Sequence, residues 1–313
     1  MRSCIAVLAI AFCTAAPALG AERPEWAFPP KEQPAVGAAT ADDAQPLRVP
    51  GSSRTYTRAE INARMDAPDW FPDEHPPMPT IVAHGNGTTV RACIGCHLPH
   101  GLGHPENSRL AGSTAAYLAR QLADFKSGVR GGEGAPNMTK FAQALTDDDV
   151  RAATEYFAGL KPARWTHVVE TDTVPKTFFE GTRRLKSEEG GTEPIGRRII
   201  EVPEDQERVQ RRDPHAGFIS YVPYGSVARG EALVATGGGK TMPCATCHGR
   251  GLRGLAEVPN IAGRSPGQIA REIYYIQTGD RRGASVEPMK PVVAQLSAED
   301  VLAISAYVAS LSP

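Results

Sequence analysis

The apolar positions of this chain change period along its length, and the changes predict its elements. Residues 5–16 form a short, almost wholly apolar run behind Arg2. Residues 21–56, rich in Pro, Ala and acidic side chains, show no period and predict an extended arm. Helical spacing appears over 114–126, where Leu118, Leu122 and Phe125 fall on one face. A Gly-rich loop is expected over 131–137. Thr146 with Asp149 three residues on then reads as a capping box, opening a helix with the stripe Val150, Ala153, Phe157 and Leu160. β-Branched and aromatic residues over 166–174, 197–202 and 218–222 predict short strands, with an exposed polar loop at 186–193. Helical spacing returns over 227–236. It recurs at Ile269, Ile273 and Ile276, and at Val301, Ile304, Val308 and Leu311 behind Ser297 and Asp300.

The late stripes copy the early ones at a constant offset of 151 positions. Cys93-Ile94-Gly95-Cys96-His97 maps to Cys244-Ala245-Thr246-Cys247-His248, Leu110-Ala111-Gly112 to Ile261-Ala262-Gly263, and Met138 to Met289, without a gap. Two copies far apart are a duplicated domain, not a repeat array. Five regions are expected: 1–20; an extended Pro-rich arm, 21–77, with a short helix capped by Thr57; a first domain, 78–160; an insert with short strands, 161–225; and a second domain, 226–313. Pro79 should shorten the first copy's counterpart of the 227–236 helix. Trp70 and Phe71 are expected to pack the arm onto the first domain. The insert carries eleven acidic and eleven basic residues, and it is expected to wrap both domains and fix their relative position.

Cys-x-x-Cys-His at both sites predicts covalent attachment of c-type haem. Cys93 and Cys96 would bind one haem and Cys244 and Cys247 another, with His97 and His248 under the irons. The other readings are a dithiol redox pair and half a zinc site. A dithiol gives no reason for the adjacent His, and structural zinc needs four ligands at characteristic spacing. The expectation is therefore two covalently attached c-type haems. Met138 and Met289 are the candidate sixth ligands. Each lies 41 residues after its His, in what the pattern predicts to be a loop between two helices. Arg120 and Arg271 match at the repeat offset, so each faces either a haem propionate or solvent. His84, His100 and His104 flank the first motif without counterparts in the second. His75, His167 and His215 lie outside both copies, with no evident ligand partner.

Charge adds mainly exclusions. A net charge of −1 and a pI near 6.7 give no reason to invoke nucleic acid or a membrane surface. Residues 1–20 read as a cleaved secretory signal, which predicts a periplasmic protein and removes Cys4 and Cys13. No later apolar run is long enough to span a bilayer, so no transmembrane segment is expected in the mature chain.

The haem motif, the Leu/Ile-Ala-Gly turn, the downstream Met and the capped last helix together resemble class I cytochrome c. Their duplication in one chain is similar to the two-domain diheme cytochromes c of bacterial respiratory chains. That resemblance implies a mainly α fold of two tandem class I cytochrome c domains, here joined by an irregular, partly β-stranded insert. It implies that the backbone carbonyl of Pro259 accepts a hydrogen bond from His248. The first copy has Ser108 there, whose carbonyl can do the same. It also implies a periplasmic one-electron carrier, passing electrons from a dehydrogenase or quinol-oxidising complex to an oxidase or another cytochrome. Two other classes remain open: a diheme oxidoreductase (peroxidase or sulfur-compound oxidising) with one open haem, and a cytochrome subunit of a dehydrogenase complex. The arm and the insert fall outside the resemblance.

Overall fold

Thr57 and Glu60 form the reciprocal capping box that starts the short helix of the arm, α1 (Arg58–Ile61). The computed structural model describes residues 21–31, 44–63, 65–87 and 89–313. The expected signal at 1–20 lies outside the described residues. Beyond the arm, the first copy contributes α2 (Thr80–Ala83), α3 (Ile94–His97), α4 (Ala115–Ser127), α5 (Ala135–Ala144) and α6 (Asp147–Ala158). The insert contributes β1 (Thr166–Glu170), β2 (Thr173–Pro175), β3 (Thr177–Glu180), β4 (Arg183–Lys186), β5 (Thr192–Pro194), β6 (Ile200–Pro203), α7 (Gln206–Gln210) and β7 (Phe218–Val222). The second copy contributes α8 (Ser226–Thr236), α9 (Ala245–His248), α10 (Pro266–Thr278), α11 (Met289–Val293) and α12 (Ala298–Ser310). Among the described residues, no helix is long and apolar enough to cross a membrane.

Each copy closes around its own apolar cluster. Val82, Ile94, Leu98, Leu118, Ala153 and Phe157 are buried together in the first, and Val234, Ile269, Ile273, Val301, Ile304 and Val308 in the second. Both last helices open on a capping box, Thr146 with Asp149 and Ser297 with Asp300. α2 is one turn long after Pro79, whereas its counterpart α8 runs to eleven residues. α8 crosses α12 at contact distance. A Cβ built on Gly230 would lie 2.0 Å from the Ala303 carbonyl oxygen. Asp300 locks the same crossing by accepting from Arg229 and Lys240. Burial would push its carboxyl up, but these cations and the Ser297 cap hold it well below the usual range. Asp149, its first-copy equivalent, caps α6 and has no such ion pair among the described residues.

The insert is woven into both cores. β7 pairs parallel with β1 and antiparallel with β6. Trp165, Val209, Ala216 and Phe218 complete the first cluster, while Ile199 and Val222 pack with Leu302 and Ala306 of α12. Glu201 of β6 accepts from Ser265 Oγ (2.8 Å) and Gly267 N (2.9 Å) at the start of α10. Two expectations need correction. β3 and β4 form a hairpin where no strand was predicted. Its charged sequence hides a packed face, with Leu185 buried and the Arg184 guanidinium 4.3 Å from the Phe179 ring centre. Trp70 and Phe71 form a separate small cluster with Val49 and Ile61 instead of joining the first domain's core. Trp70 Nε1 donates to the Arg211 carbonyl (2.8 Å), so the arm is anchored on the insert. The start of the arm is also not free, since Phe28 packs edge-on against Tyr274 and Tyr275.

Equivalent positions of the two copies meet across a pseudo-two-fold axis. Gly131 N donates to the Asp280 carbonyl and Arg282 N to the Val129 carbonyl, both at 2.7 Å, around a bridge between Arg130 and Arg281. The 151-residue offset exchanges the two hydrogen bonds and relates Arg130 to Arg281. Arg130 reaches Gln121 (2.6 Å) and Glu272 (2.6 Å), and Arg281 reaches Glu272 and Gln121 (2.9 Å). Gln121 and Glu272 are themselves equivalent. One carboxylate thus serves two guanidinium groups at the axis. Burial favours a neutral Glu272, but Arg130 and Arg281 outweigh it and hold the carboxyl down to about 2.

Gly230→Ala should cost about 1–3 kcal/mol by overpacking the α8–α12 crossing, read by thermal unfolding of the haem-loaded protein. Glu272 is depressed on folding, so its contribution is complete above the unfolded value of 4.5 and disappears as pH falls toward 2. Glu272→Gln should lower stability at pH 7 by at most about 3 kcal/mol. Urea unfolding at descending pH should show the gap from the parent closing below about 4.5.

Candidate functional site

Both Cys-x-x-Cys-His segments fold as a single helical turn. Cys93 and Cys244 sit at the N-caps of α3 and α9, and His97 N and His248 N each donate to the first Cys carbonyl at 3.0 Å. Positions i, i+3 and i+4 share one face of such a turn, so two thiols and an imidazole are presented together. The turn must then stop. It does so at Leu98 (φ 63°) in the first copy and Gly249 (φ 73°) in the second. A second reversal follows at Gly101 (φ 65°) and Leu252 (φ 61°), again equivalent positions. Leucine occupies a left-handed conformation once in each copy, where the other copy has glycine. The loop geometry is therefore kept even where a side chain strains it.

This loop brings a carbonyl to each imidazole. His97 Nδ1 donates to the Ser108 carbonyl (2.8 Å) and His248 Nδ1 to the Pro259 carbonyl (2.9 Å). A carbonyl only accepts, so Nδ1 carries the proton and Nε2 keeps its lone pair for a metal. Burial depresses both imidazoles below the usual His value, with the carbonyl bond opposing it in part. Both stay neutral, which is the ligating form.

The thiols argue against the competing chemistries. Burial pushes Cys93 up to about 12 and also raises Cys96 and Cys244. A redox dithiol needs a stabilised thiolate, the opposite environment. Among the described residues, neither motif gathers its thiols and imidazole within reach of a common ion. The described cysteines are free, so they are available for thioether bonds.

A haem also brings two carboxylate propionates, and the interface between the copies has an unanswered positive charge. Arg109 is buried, donating one nitrogen to Asn260 (3.3 Å) and the Ala262 carbonyl (3.0 Å). Its Nε and Nη1 are buried without a partner among the described residues. Burial, then the neighbouring Arg264, pulls its guanidinium down to about 8. Arg264 is buried too, and it donates to the Arg109 carbonyl (2.7 Å) and Ser113 Oγ (3.2 Å). Two buried arginines side by side, with no carboxylate bonded to either among the described residues, fit a site completed by an anionic group.

The structure redistributes the other candidates. Met138 lies within α5 and Met289 opens α11, so both are helical residues, not loop residues. Pro136 in the first turn of α5 and Pro288 at the N-cap of α11 are compatible with this, because a proline there removes no intrahelical N–H bond. Both Met side chains are half-buried. Arg120 and Arg271 reach across to other chain segments. Arg120 pairs with Glu257, and Arg271 donates to the Ala27 (2.6 Å) and Pro105 (2.5 Å) carbonyls. His84 pairs with Asp66 (2.5 Å), His104 with Glu106 (3.5 Å) and His167 with Glu204 (3.4 Å). His100 and His215, separate in the sequence, converge on Glu74. Local pattern carried no signal for that meeting. Arg109 was also missed, although its place beside the conserved-offset Leu/Ile-Ala-Gly turn marked the segment.

Two small helical units, each with a one-turn Cys-x-x-Cys-His helix and a carbonyl-anchored imidazole, define a cytochrome-type protein. The cytochrome c family profile matches residues 82–161 and 227–312, and the chain belongs to that family. Membership implies covalently bound c-type haem. The chain is similar to cytochrome c4 of Pseudomonas aeruginosa, 39% identical over 93 residues, covering 26% of this chain and 46% of the relative. It is also similar to a thiosulfate dehydrogenase electron acceptor of Stutzerimonas stutzeri, 39% identical over 72 residues, covering 23% and 33%. The chain thus spans less than half the length of these curated relatives. Among solved structures, a thiosulfate dehydrogenase (TsdBA) from Marichromatium purpuratum superposes with a TM-score of 0.50 at 26% identity, covering 74% of this chain and 38% of that one.

Proposed function

We propose that the chain is a periplasmic diheme electron carrier. Cys93 and Cys96 hold one haem and Cys244 and Cys247 the other, with His97 and His248 on the proximal faces and Met138 and Met289 as sixth ligands. The observation that carries this reading is the duplicated imidazole-to-carbonyl bond, which prepares one neutral Nε2 lone pair in each copy. When bound, haem iron supplies the one-electron change between ferric and ferrous states. The remaining work belongs to the chain. Ser108 and Pro259 orient the imidazoles, and the apolar clusters keep water from the irons. Arg109 and Arg264 neutralise propionate charge, and the pseudo-two-fold contact holds the two sites in one body.

The donor is a dehydrogenase or a quinol-oxidising complex, and the acceptor an oxidase or another cytochrome. A thiosulfate dehydrogenase is the donor to try first, because a relative is named as the electron acceptor of one and a solved thiosulfate dehydrogenase shares the fold. Rapid haem reduction on mixing with such an enzyme and thiosulfate would support that pairing.

Carbon monoxide separates the carrier from an oxidoreductase with an open haem. The reduced protein should bind none, and its oxidised spectrum should show a Met–iron band. Ready binding at one haem would replace the carrier with an oxidoreductase. Met138→Ala and Met289→Ala should each open one haem to carbon monoxide. Each should also lower that haem's potential by roughly 0.1 V or more, within the ~0.8 V range that axial ligands set.

A further inference from the structure

We propose that Glu74, His100 and His215 form a binding site for one divalent cation of the zinc class, independent of the haems. Glu74 Oε2 lies 3.2 Å from His100 Nε2 and 2.7 Å from His215 Nε2. The three ligand atoms all fall within 4.8 Å of one another. Two ligands about 2.1 Å from zinc at a tetrahedral angle are about 3.4 Å apart. The cluster therefore needs only a small side-chain adjustment to admit an ion. Two imidazoles and a carboxylate form a donor set suited to zinc, with the fourth position left to water.

The ligands are held from behind. Phe71 stacks on the His215 ring at 4.0 Å between centroids, and Asp213 accepts from His215 N at 2.9 Å. His75 meets the His100 ring edge-on at 5.7 Å. Both nitrogens of His75 are engaged, by Asp69 (3.1 Å) and the Pro76 carbonyl (2.9 Å), so His75 positions its neighbour and does not bind the ion. Among the described residues His100 Nδ1 is buried without a partner, and Nε2 is the nitrogen that faces Glu74 and the ion position.

The three residues come from the arm, the first haem unit and the insert. An ion held by all three would pin the segments that the duplication does not relate. It binds only where they meet, so it stabilises the folded state by mass action. The second copy has Gly251 where the first has His100, so one site per chain is expected.

The test is calorimetric titration of the intact, haem-loaded, tag-free chain with Zn²⁺, which is redox-inert toward the haems, together with thermal unfolding. One equivalent should bind and raise the unfolding temperature. His215→Ala and Glu74→Ala should each weaken binding by roughly tenfold or more and remove the thermal shift. Unchanged haem spectra in both variants would show that the fold survives. A chain that binds no stoichiometric zinc would overturn the site and leave a carboxylate hydrogen-bonded to two imidazoles. Equal binding by the parent and both variants would equally overturn it.

Discussion

Each haem motif depends on a hydrogen bond to a carbonyl eleven residues downstream. The bond from His97 to Ser108, or from His248 to Pro259, forces the intervening chain to reverse twice. Those reversals require left-handed backbone at equivalent positions, and the protein tolerates Leu98 and Leu252 there. The same loop carries the Leu/Ile-Ala-Gly turn that leads into α4 and α10. One polar contact thus sets the tautomer of the imidazole and the path of the backbone around it. The carbonyl needs no particular side chain, so Ser and Pro serve alike.

The duplication acts a second time at the interface. Close to the pseudo-two-fold axis a residue can lie against its own counterpart, as Arg130 does against Arg281, so a like-charged pair repeated there would repel itself. The chain resolves this by divergence. Arg130 and Arg281 stand at equivalent positions, but Gln121 is matched by Glu272, which supplies the carboxylate that both guanidinium groups share. Arg109 faces Asn260, and Arg264 faces Ser113, so the repeat is broken where two arginines would otherwise oppose each other. The residual positive charge of Arg109 and Arg264 suits a contact completed by propionates.

The arm and insert are the asymmetric parts, and they hold the symmetric pair from outside. Trp165, Phe218 and Val209 fill the first core, Ile199 and Val222 cover α12, and Phe28 packs on α10. Removing the insert would expose apolar surface on both units, so it is part of their cores and not a tether.

Whatever is local or periodic was legible in the order of residues alone. The two motifs, the constant offset, the helical stripes and both capping boxes follow from spacing and from hydrogen bonds within one turn. The shortening of α2 followed from Pro79 in the same way. Other features required the fold. Local loop composition around the methionines concealed the helix starts in which Pro136 and Pro288 stand. The charges of β3 and β4 concealed a hairpin whose apolar face is defined by what packs on it. Trp70 chose the insert because its indole N–H found the Arg211 carbonyl. Arg109 gained meaning only beside Arg264, and His100 and His215 only beside Glu74. These contacts join positions 26 to 155 residues apart. No period or cap encodes such a distance, and only the packing of the two copies, arm and insert brings the partners together.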